Sequence, residues 1–285
     1  MTKFNKHLVI VGTARSGTSW LSEMISRQHR YRLLFEPEHY TNTKKGHLIC
    51  DQWIENKSGS KEAYSYLKQV FLNRVDNDWI AQNSNRKFKR HLWPWIPKKY
   101  IAKFVRANLS AKFINEEMEV PILHVLRSPY DVVRSQKRSK FPWILDLSIF
   151  ASQDKLTQFI KDQYELDISQ VANFSKVELM TLRWCIENVI PLEGLNGYQG
   201  QARVIKYEDI VSNKDLFKEV CHYFELIPVH NFETYYRQPS TKTHPDSSIR
   251  HGEVQKGALS NDEIIKINGI LDQFKTKLYD RKLPN

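Results

Sequence analysis

The stretch from His7 to Leu21 constrains the fold more than any other. An apolar run, Leu8 to Val11, stops at Gly12, and apolar residues resume at helical spacing after Ser19 with Trp20, Leu21, Met24 and Ile25. A buried strand, a turn punctuated by Gly12 and Gly17, and a helix from about Ser19 to Arg27 are what such a pattern specifies. A helix start offers backbone N–H groups with no internal partner and the positive end of a dipole, and glycines let an anion approach them closely. Gly12-Thr13-Ala14-Arg15-Ser16-Gly17-Thr18-Ser19 is therefore a candidate phosphate cradle. Its spacing follows G-x-x-x-x-G-K-[ST], but Thr18 stands where a nucleotide triphosphatase places lysine, and the cation sits inside the loop as Arg15. With that lysine missing and no obvious acidic partner for Mg²⁺, the loop suits a phosphate recognised without metal better than ATP or GTP hydrolysis. The plainer alternative is an ordinary strand-to-helix turn with two glycines.

Further along, strands and helices alternate. Tyr31 to Phe35 reads as a second strand, closed by Glu36-Pro37-Glu38-His39-Tyr40. Pro37 disfavours helix at Glu36 and puts that carboxylate at the strand's C-terminal edge, where doubly wound sheets bind ligands. Glu38 and His39 are rival bases, and Glu36 paired with a surface arginine is the bland alternative. Residues 41–99 lack strand alternation and carry expected helices at Lys61–Val75 and Asn77–Arg90. Within them, Arg86 to His91 followed by Trp93 and Trp95 suits a nucleic-acid surface, a grip on an anionic or sugar acceptor, or a helix end whose cations favour the dipole. Strands resume at Tyr100–Val105 and Pro121–Arg127, with a helix at Ser110–Glu117 between them. After Arg127, Ser128 suits an N-cap, Pro129 the first helical position and Asp131 a capping-box-like acid. Arg127 at a strand tip and Ser135 two turns into the next helix could hold a second phosphate.

Charge points the same way: 43 Lys and Arg against 32 Asp and Glu give a net +11, which favours an anionic partner. The 285 residues, 41% hydrophobic, suffice for one α/β domain over 1–285 with a helical insertion at 41–99. Cys50, Cys185 and Cys221 are odd in number and widely spaced, which argues against a disulfide framework and for a reducing, cytoplasmic setting. No stretch approaches the roughly 18 apolar residues of a membrane span, and the N-terminal run is too short for a signal peptide. A soluble chain is the expectation. No repeat or metal-ligand spacing is present: His47 and Cys50 lack a second pair, and Cys221 and His222 are adjacent. Lys176–Val189, Asn213–Phe224 and Asp262–Leu278 read as helices that cover the sheet, with Trp184 in the core rather than against a base.

Two of these segments together carry a resemblance. Gly12 to Leu21 and Arg127 to Ser135 resemble the 5′-phosphosulfate and 3′-phosphate motifs of sulfotransferases, which use 3′-phosphoadenosine 5′-phosphosulfate (PAPS). Val204-Ile205-Lys206-Tyr207-Glu208-Asp209 resembles that family's late strand with its Tyr-Glu-Asp signature. The resemblance runs from His7 to about Asp209, and the helical stretches between the motifs match little. It implies a P-loop NTPase-like three-layer α/β fold, a central parallel sheet flanked by helices, with PAPS as donor and no metal. Gly12 to Ser19 would hold the 5′-phosphosulfate, and Arg127 and Ser135 the 3′-phosphate.

Cytosolic aryl and steroid members carry a histidine after the third strand, and Phe104 to Asn108 offers none. Carbohydrate and protein-tyrosine members instead use a glutamate after the second strand, where Glu36 falls, 21 positions beyond Arg15. Glu36 and Arg15 are thus the expected catalytic pair. A late basic loop closes over the cofactor in relatives; Arg250 and Lys256, within Thr241–Gly257, are its counterparts here, without the full Arg-Lys-Gly-x-x-Gly form. The activity implied is sulfuryl transfer to a hydroxyl, of a glycan first and of a lipid-linked or small-molecule alcohol next, with no nucleic-acid partner and an open oligomeric state. A kinase on the same fold and a basic nucleic-acid-binding module are the other classes the residues allow.

Overall fold

The strands are apolar at consecutive rather than alternate positions, a pattern that requires cover on both faces of a sheet. In the computed structural model, β1 (Leu8–Val11), β2 (Tyr31–Phe35) and β4 (Ile122–Leu126) are buried throughout, and β3 (Lys99–Lys103) is exposed only at Lys99. β5 (Ala202–Lys206), buried only at Ile205, is an edge. The structure describes residues 4–27, 31–75, 77–82, 99–139, 141–226, 231–236, 238–241 and 258–284. All five strands are parallel, in the order β2-β3-β1-β4-β5. Ile10 lies opposite Lys103 on one side and Leu123 on the other.

The helices are α1 (Thr18–Ser26), α2 (Lys61–Phe71), α3 (Asp78–Ala81), α4 (Ala111–Glu117), α5 (Pro129–Gln136), α6 (Ser148–Ala151), α7 (Asp154–Tyr164), α8 (Lys176–Val189), α9 (Tyr207–Ser212), α10 (Lys214–Tyr223), α11 (Phe232–Tyr236) and α12 (Asn261–Gln273). Leu8, Ile10, Leu33, Leu123 and Val125 pack on one face against Leu21, Ile25, Phe217 and Phe232 of α1, α10 and α11. Val9, Val11, Leu34 and Ala102 pack on the other against Leu67 and Phe71 of α2 and Ile114 of α4. A further cluster joins α5, α7, α8 and α12, with Trp184 completely buried in it. This is the P-loop-type layered α/β architecture.

Several boundaries differ from the sequence expectation for local reasons. α2 stops short of Val75 because Asn73 takes a left-handed conformation (φ 56°) and closes the helix on the Val70 carbonyl. α12 stops before Leu278 because Lys275 does the same (φ 50°). Of the helix expected at Asn77–Arg90, α3 is the described part. The cluster Arg86–Trp95 and the residues Arg250, His251 and Lys256 lie outside the described residues. Among the described residues, no helix is long and apolar enough to cross a membrane. The three cysteines are buried and unbridged.

The topology sets the site. From β1 the chain builds outward to β2 and β3 on one side and to β4 and β5 on the other. The loops after β1 and β4 therefore part at their shared C-terminal edge, the place where open α/β sheets bind ligands.

Candidate active site

The phosphate loop leaves β1 through Gly12 and enters α1 through Gly17, whose φ of 94° is the left-handed conformation glycine favours. A side chain at Gly17 would also strike Tyr207, since a Cβ there would lie 2.2 Å from its ring. The loop is held from outside: Gln136 donates to the Ala14 carbonyl at 3.1 Å, and Arg127 Nη1 donates to the Arg15 carbonyl at 2.8 Å. Ser16 Oγ is buried and has no hydrogen-bond partner among the described residues. A buried hydroxyl left over in a glycine loop at a helix start suits an incoming oxyanion.

The two expected phosphate subsites meet. Arg15 Nε donates to Ser135 Oγ at 3.0 Å, across 120 residues. Burial, and then the like charge of Arg127, pull the Arg15 pKa below its ordinary value. Neither arginine makes an ion pair with a described carboxylate, and Arg127 Nε has no hydrogen-bond partner among the described residues. Arg127 is braced by the Tyr207 ring, 4.8 Å from its guanidinium carbon, and by Trp184 Nε1, which donates to its carbonyl at 3.0 Å. Two guanidiniums converging without a described counter-charge are chemically suited to an external anion.

The helix cap after β4 differs from the expectation. Ser128 does occupy the N-cap and Pro129 the first helical position, but the Ser128 side chain makes no capping bond. Asp131 pairs with Arg134 at 2.5 Å instead of completing a box. The cap comes from Glu208, whose Oε1 accepts from the Ser128 N–H at 2.8 Å while Oε2 accepts from the Tyr279 hydroxyl at 3.0 Å. The Tyr-Glu-Asp segment thus braces the site from β5, Tyr207 beneath Arg127 and Glu208 on the start of α5. Sequence reading missed this because the partners are 80 residues apart.

Glu36 closes β2 with φ 42° and bonds through its N–H to the Lys103 carbonyl at 2.9 Å. Its side chain forms an ion pair with Lys103 Nζ. The expected alternative partner was an arginine. Lys103, 2% exposed at the end of β3, was missed because it follows three apolar positions and reads as the end of a core strand. The Glu36 side chain retains 14% exposure against 2% for Lys103, so the glutamate is the more open end of the pair.

The rival bases separate by burial. Glu38, 1% exposed, accepts from the N–H groups of Val105 at 2.7 Å and Arg106 at 3.2 Å. Burial, reinforced by the Glu36 charge, pushes its carboxyl up to about 8. It braces the β2 and β3 loops and faces no solvent. His39 packs edge-on against Trp79, 4.4 Å between ring centroids, and its ring nitrogens are engaged by Thr41 and Asn42. Burial lowers its pKa.

No family model and no curated protein matches the chain. Solved structures do. The chain is similar to the sulfotransferase domain from the Synechococcus PCC 7002 olefin synthase, at 13% identity over 98% of each chain with a TM-score of 0.47. It is similar to sulfotransferase STF9 from Mycobacterium avium, at 10% identity over 100% of this chain and 79% of that one, TM-score 0.48. It is also similar to mouse sulfotransferase SULT7A1 complexed with PAP, at 12% identity over 97% and 86% of the two chains, TM-score 0.41. Each of these neighbours is a sulfotransferase.

Proposed function

We propose that the chain is a PAPS-dependent sulfotransferase acting on an acceptor hydroxyl, a glycan by preference, with Glu36 as general base. The observation that carries this reading is the meeting of Arg15, Arg127 and Ser135 at the glycine loop, with no described carboxylate paired to either arginine. These groups fit a nucleotide bearing two separate phosphates: the loop Gly12 to Ser19 would hold the 5′-phosphosulfate, and Arg127 with Ser135 the 3′-phosphate. PAPS, when bound, supplies an activated sulfuryl group on a phosphate leaving group.

The chain's own residues do the rest. Arg15 and the loop N–H groups stabilise negative charge as it gathers on the leaving phosphate oxygen, which is where preorganised donors lower a barrier most. Glu36 takes the proton from the attacking hydroxyl, and Lys103 holds its carboxylate in place at the strand edge. The glycan preference rests on the sequence resemblance to glutamate-base members.

The test is thermal. Adenosine 3′,5′-bisphosphate should raise the melting temperature without added metal, because a ligand that binds only the native state stabilises it. ATP with Mg²⁺ should do much less. Equal or greater stabilisation by ATP with Mg²⁺ would favour a kinase, and steeply salt-dependent binding of nucleic acid with no preference for the bisphosphate would favour a nucleic-acid module.

A further inference from the structure

Behind the phosphate loop runs a buried row of polar groups that the reading above leaves unused. Asn188, near the end of α8, is 1% exposed and donates through Nδ2 both to the Trp184 carbonyl and to Thr13 Oγ1, each at 2.7 Å. A backbone carbonyl only accepts, so it fixes which end of the amide is nitrogen. Oδ1 then faces His124 Nε2 at 3.0 Å, and that nitrogen must carry the hydrogen. Burial lowers the His124 pKa to about 4, so the ring is neutral and its Nδ1 accepts from the Tyr198 hydroxyl at 2.6 Å. Every donor now points one way, from Tyr198 through His124 and Asn188 to Thr13.

The bond that Thr13 Oγ1 receives ties the loop to α8. Glu187, the neighbour of Asn188 on α8, is a buried carboxylate whose Oε2 has no hydrogen-bond partner among the described residues. From Glu187 a ladder of charges crosses the molecule. Arg183 Nη1 bonds to Glu187 at 3.0 Å and to Asp51 at 3.2 Å, and Arg106 Nε bonds to Asp51 at 2.9 Å. The Arg106 N–H in turn donates to Glu38, two residues after Glu36. Arg183 and Glu187 are at most 1% exposed, Asp51 2% and Arg106 8%.

Burying charge is a poor route to stability, since well-packed apolar residues of similar volume often do as well or better. What such a ladder supplies is a fixed relation between the elements it joins. We infer that Thr13 and Glu187 are positioning residues, joined through α8 into a buried ladder that holds the phosphate loop at a set distance from the turn bearing Glu36. The inference rests on the sulfuryl-transfer reading, because it concerns how donor and base are aligned.

Two substitutions that keep shape test it: Thr13→Val, which leaves the ion ladder intact, and Glu187→Gln. Both are compared with wild type in bisphosphate affinity by calorimetry and in single-turnover sulfuryl transfer at saturating PAPS. Hydrogen exchange of the Glu36–Glu38 turn is followed with and without bisphosphate. Expected is a transfer rate lower by about tenfold or more, since misplacement by about 1 Å can cost 10²-fold, with affinity reduced by a smaller factor than the rate. The double variant should be no slower than the worse single one, and Thr13→Ser should restore the rate. Bisphosphate should protect the Glu36–Glu38 turn in wild type but not in Thr13→Val. Normal transfer and undiminished protection in Thr13→Val overturn the inference even if Glu187→Gln fails to fold. A wild type that binds bisphosphate and transfers nothing sinks the functional reading, and the exchange comparison then decides the coupling alone. A wild type that does not bind the bisphosphate sinks both.

Discussion

The two halves of the candidate site treat their cations in opposite ways. On the β1 and β4 side, Arg15 and Arg127 converge with no described carboxylate between them. On the β2 and β3 side the buried cations Lys103, Arg106 and Arg183 sit on carboxylates: Lys103 on Glu36, Arg106 on Asp51, and Arg183 on Asp51 and Glu187. An uncompensated pair of guanidiniums is costly to assemble and repays that cost when an anion arrives. A compensated set carries no such demand, so it can face a neutral group. On the function proposed above, the difference would divide the work: one half would bind a charged donor, and the other would receive a neutral hydroxyl beside a carboxylate.

The strongest challenge to that division is Glu36→Gln. The amide keeps the shape and can still accept from Lys103, but it cannot take a proton. Turnover should fall by about 10² to 10⁴-fold, the usual worth of general base catalysis, while calorimetry shows bisphosphate affinity preserved. Near-normal turnover would move the base elsewhere. The structure argues against Glu38, which is spent on two backbone N–H groups.

How far the halves were legible in sequence follows from how local their partners are. The loop Gly12 to Ser19 and its strand and helix are contiguous, and Pro37 marks the end of β2, so both edges could be read from neighbouring residues. Even the junction of Arg15 with Ser135 was approached, since each belongs to a motif. In the compensated half, Glu36 was legible and its charged partners were not. Lys103 reads as the end of an apolar strand, Arg183 as a polar position on an amphipathic helix, and Asp51 as one more residue of an irregular stretch. Their meaning lies in pairs separated by 55 to 132 residues, which no periodicity carries.

Asp51 is the hinge of that hidden half, with both arginines on one carboxylate. Asp51→Asn removes the charge and keeps the volume, leaving two buried guanidiniums short of an anion. Breaking such a group typically costs about 3 to 5 kcal/mol, read as a lower midpoint in urea unfolding. A loss below about 1 kcal/mol would mean that the ladder is as dispensable as a surface pair.

Acid should weaken the fold through the histidines. Burial lowers His7 to about 3 and His124 to about 4, against 6.5 for each when unfolded. Between those values the unfolded chain binds protons that the folded chain refuses, so stability is lost as pH falls from 6.5 toward 4. Glu38 acts with the opposite sign: its folded carboxyl, raised to about 8, favours the fold below 4.5 and loses that advantage as pH rises toward 8. His124→Gln should make the acid limb of the stability curve shallower, and an unchanged limb would assign it to other groups.

The smallest expected effects test whether the uncompensated half is one anion site or two. Arg127 was expected to serve the 3′-phosphate alone, but its hydrogen bond to the Arg15 carbonyl ties it to the loop as well. Arg127→Ala should therefore weaken adenosine 3′,5′-bisphosphate by about 1.5 to 3 kcal/mol, the range for a hydrogen bond to a charged group, and adenosine 5′-phosphate by a smaller, measurable amount. Ser135→Ala is gentler. It removes a neutral hydroxyl that accepts from Arg15, leaves both guanidiniums in place, and should cost the bisphosphate only about 0.5 to 1.5 kcal/mol. Its value lies in the ratio between ligands. If Ser135 contacts the 3′-phosphate, adenosine 5′-phosphate binds the variant as it binds wild type; if Ser135 serves only to aim Arg15, both nucleotides lose the same amount. Equal losses for both ligands in both variants would merge the subsites into a single phosphate pocket and remove the 3′-phosphate assignment from Arg127 and Ser135.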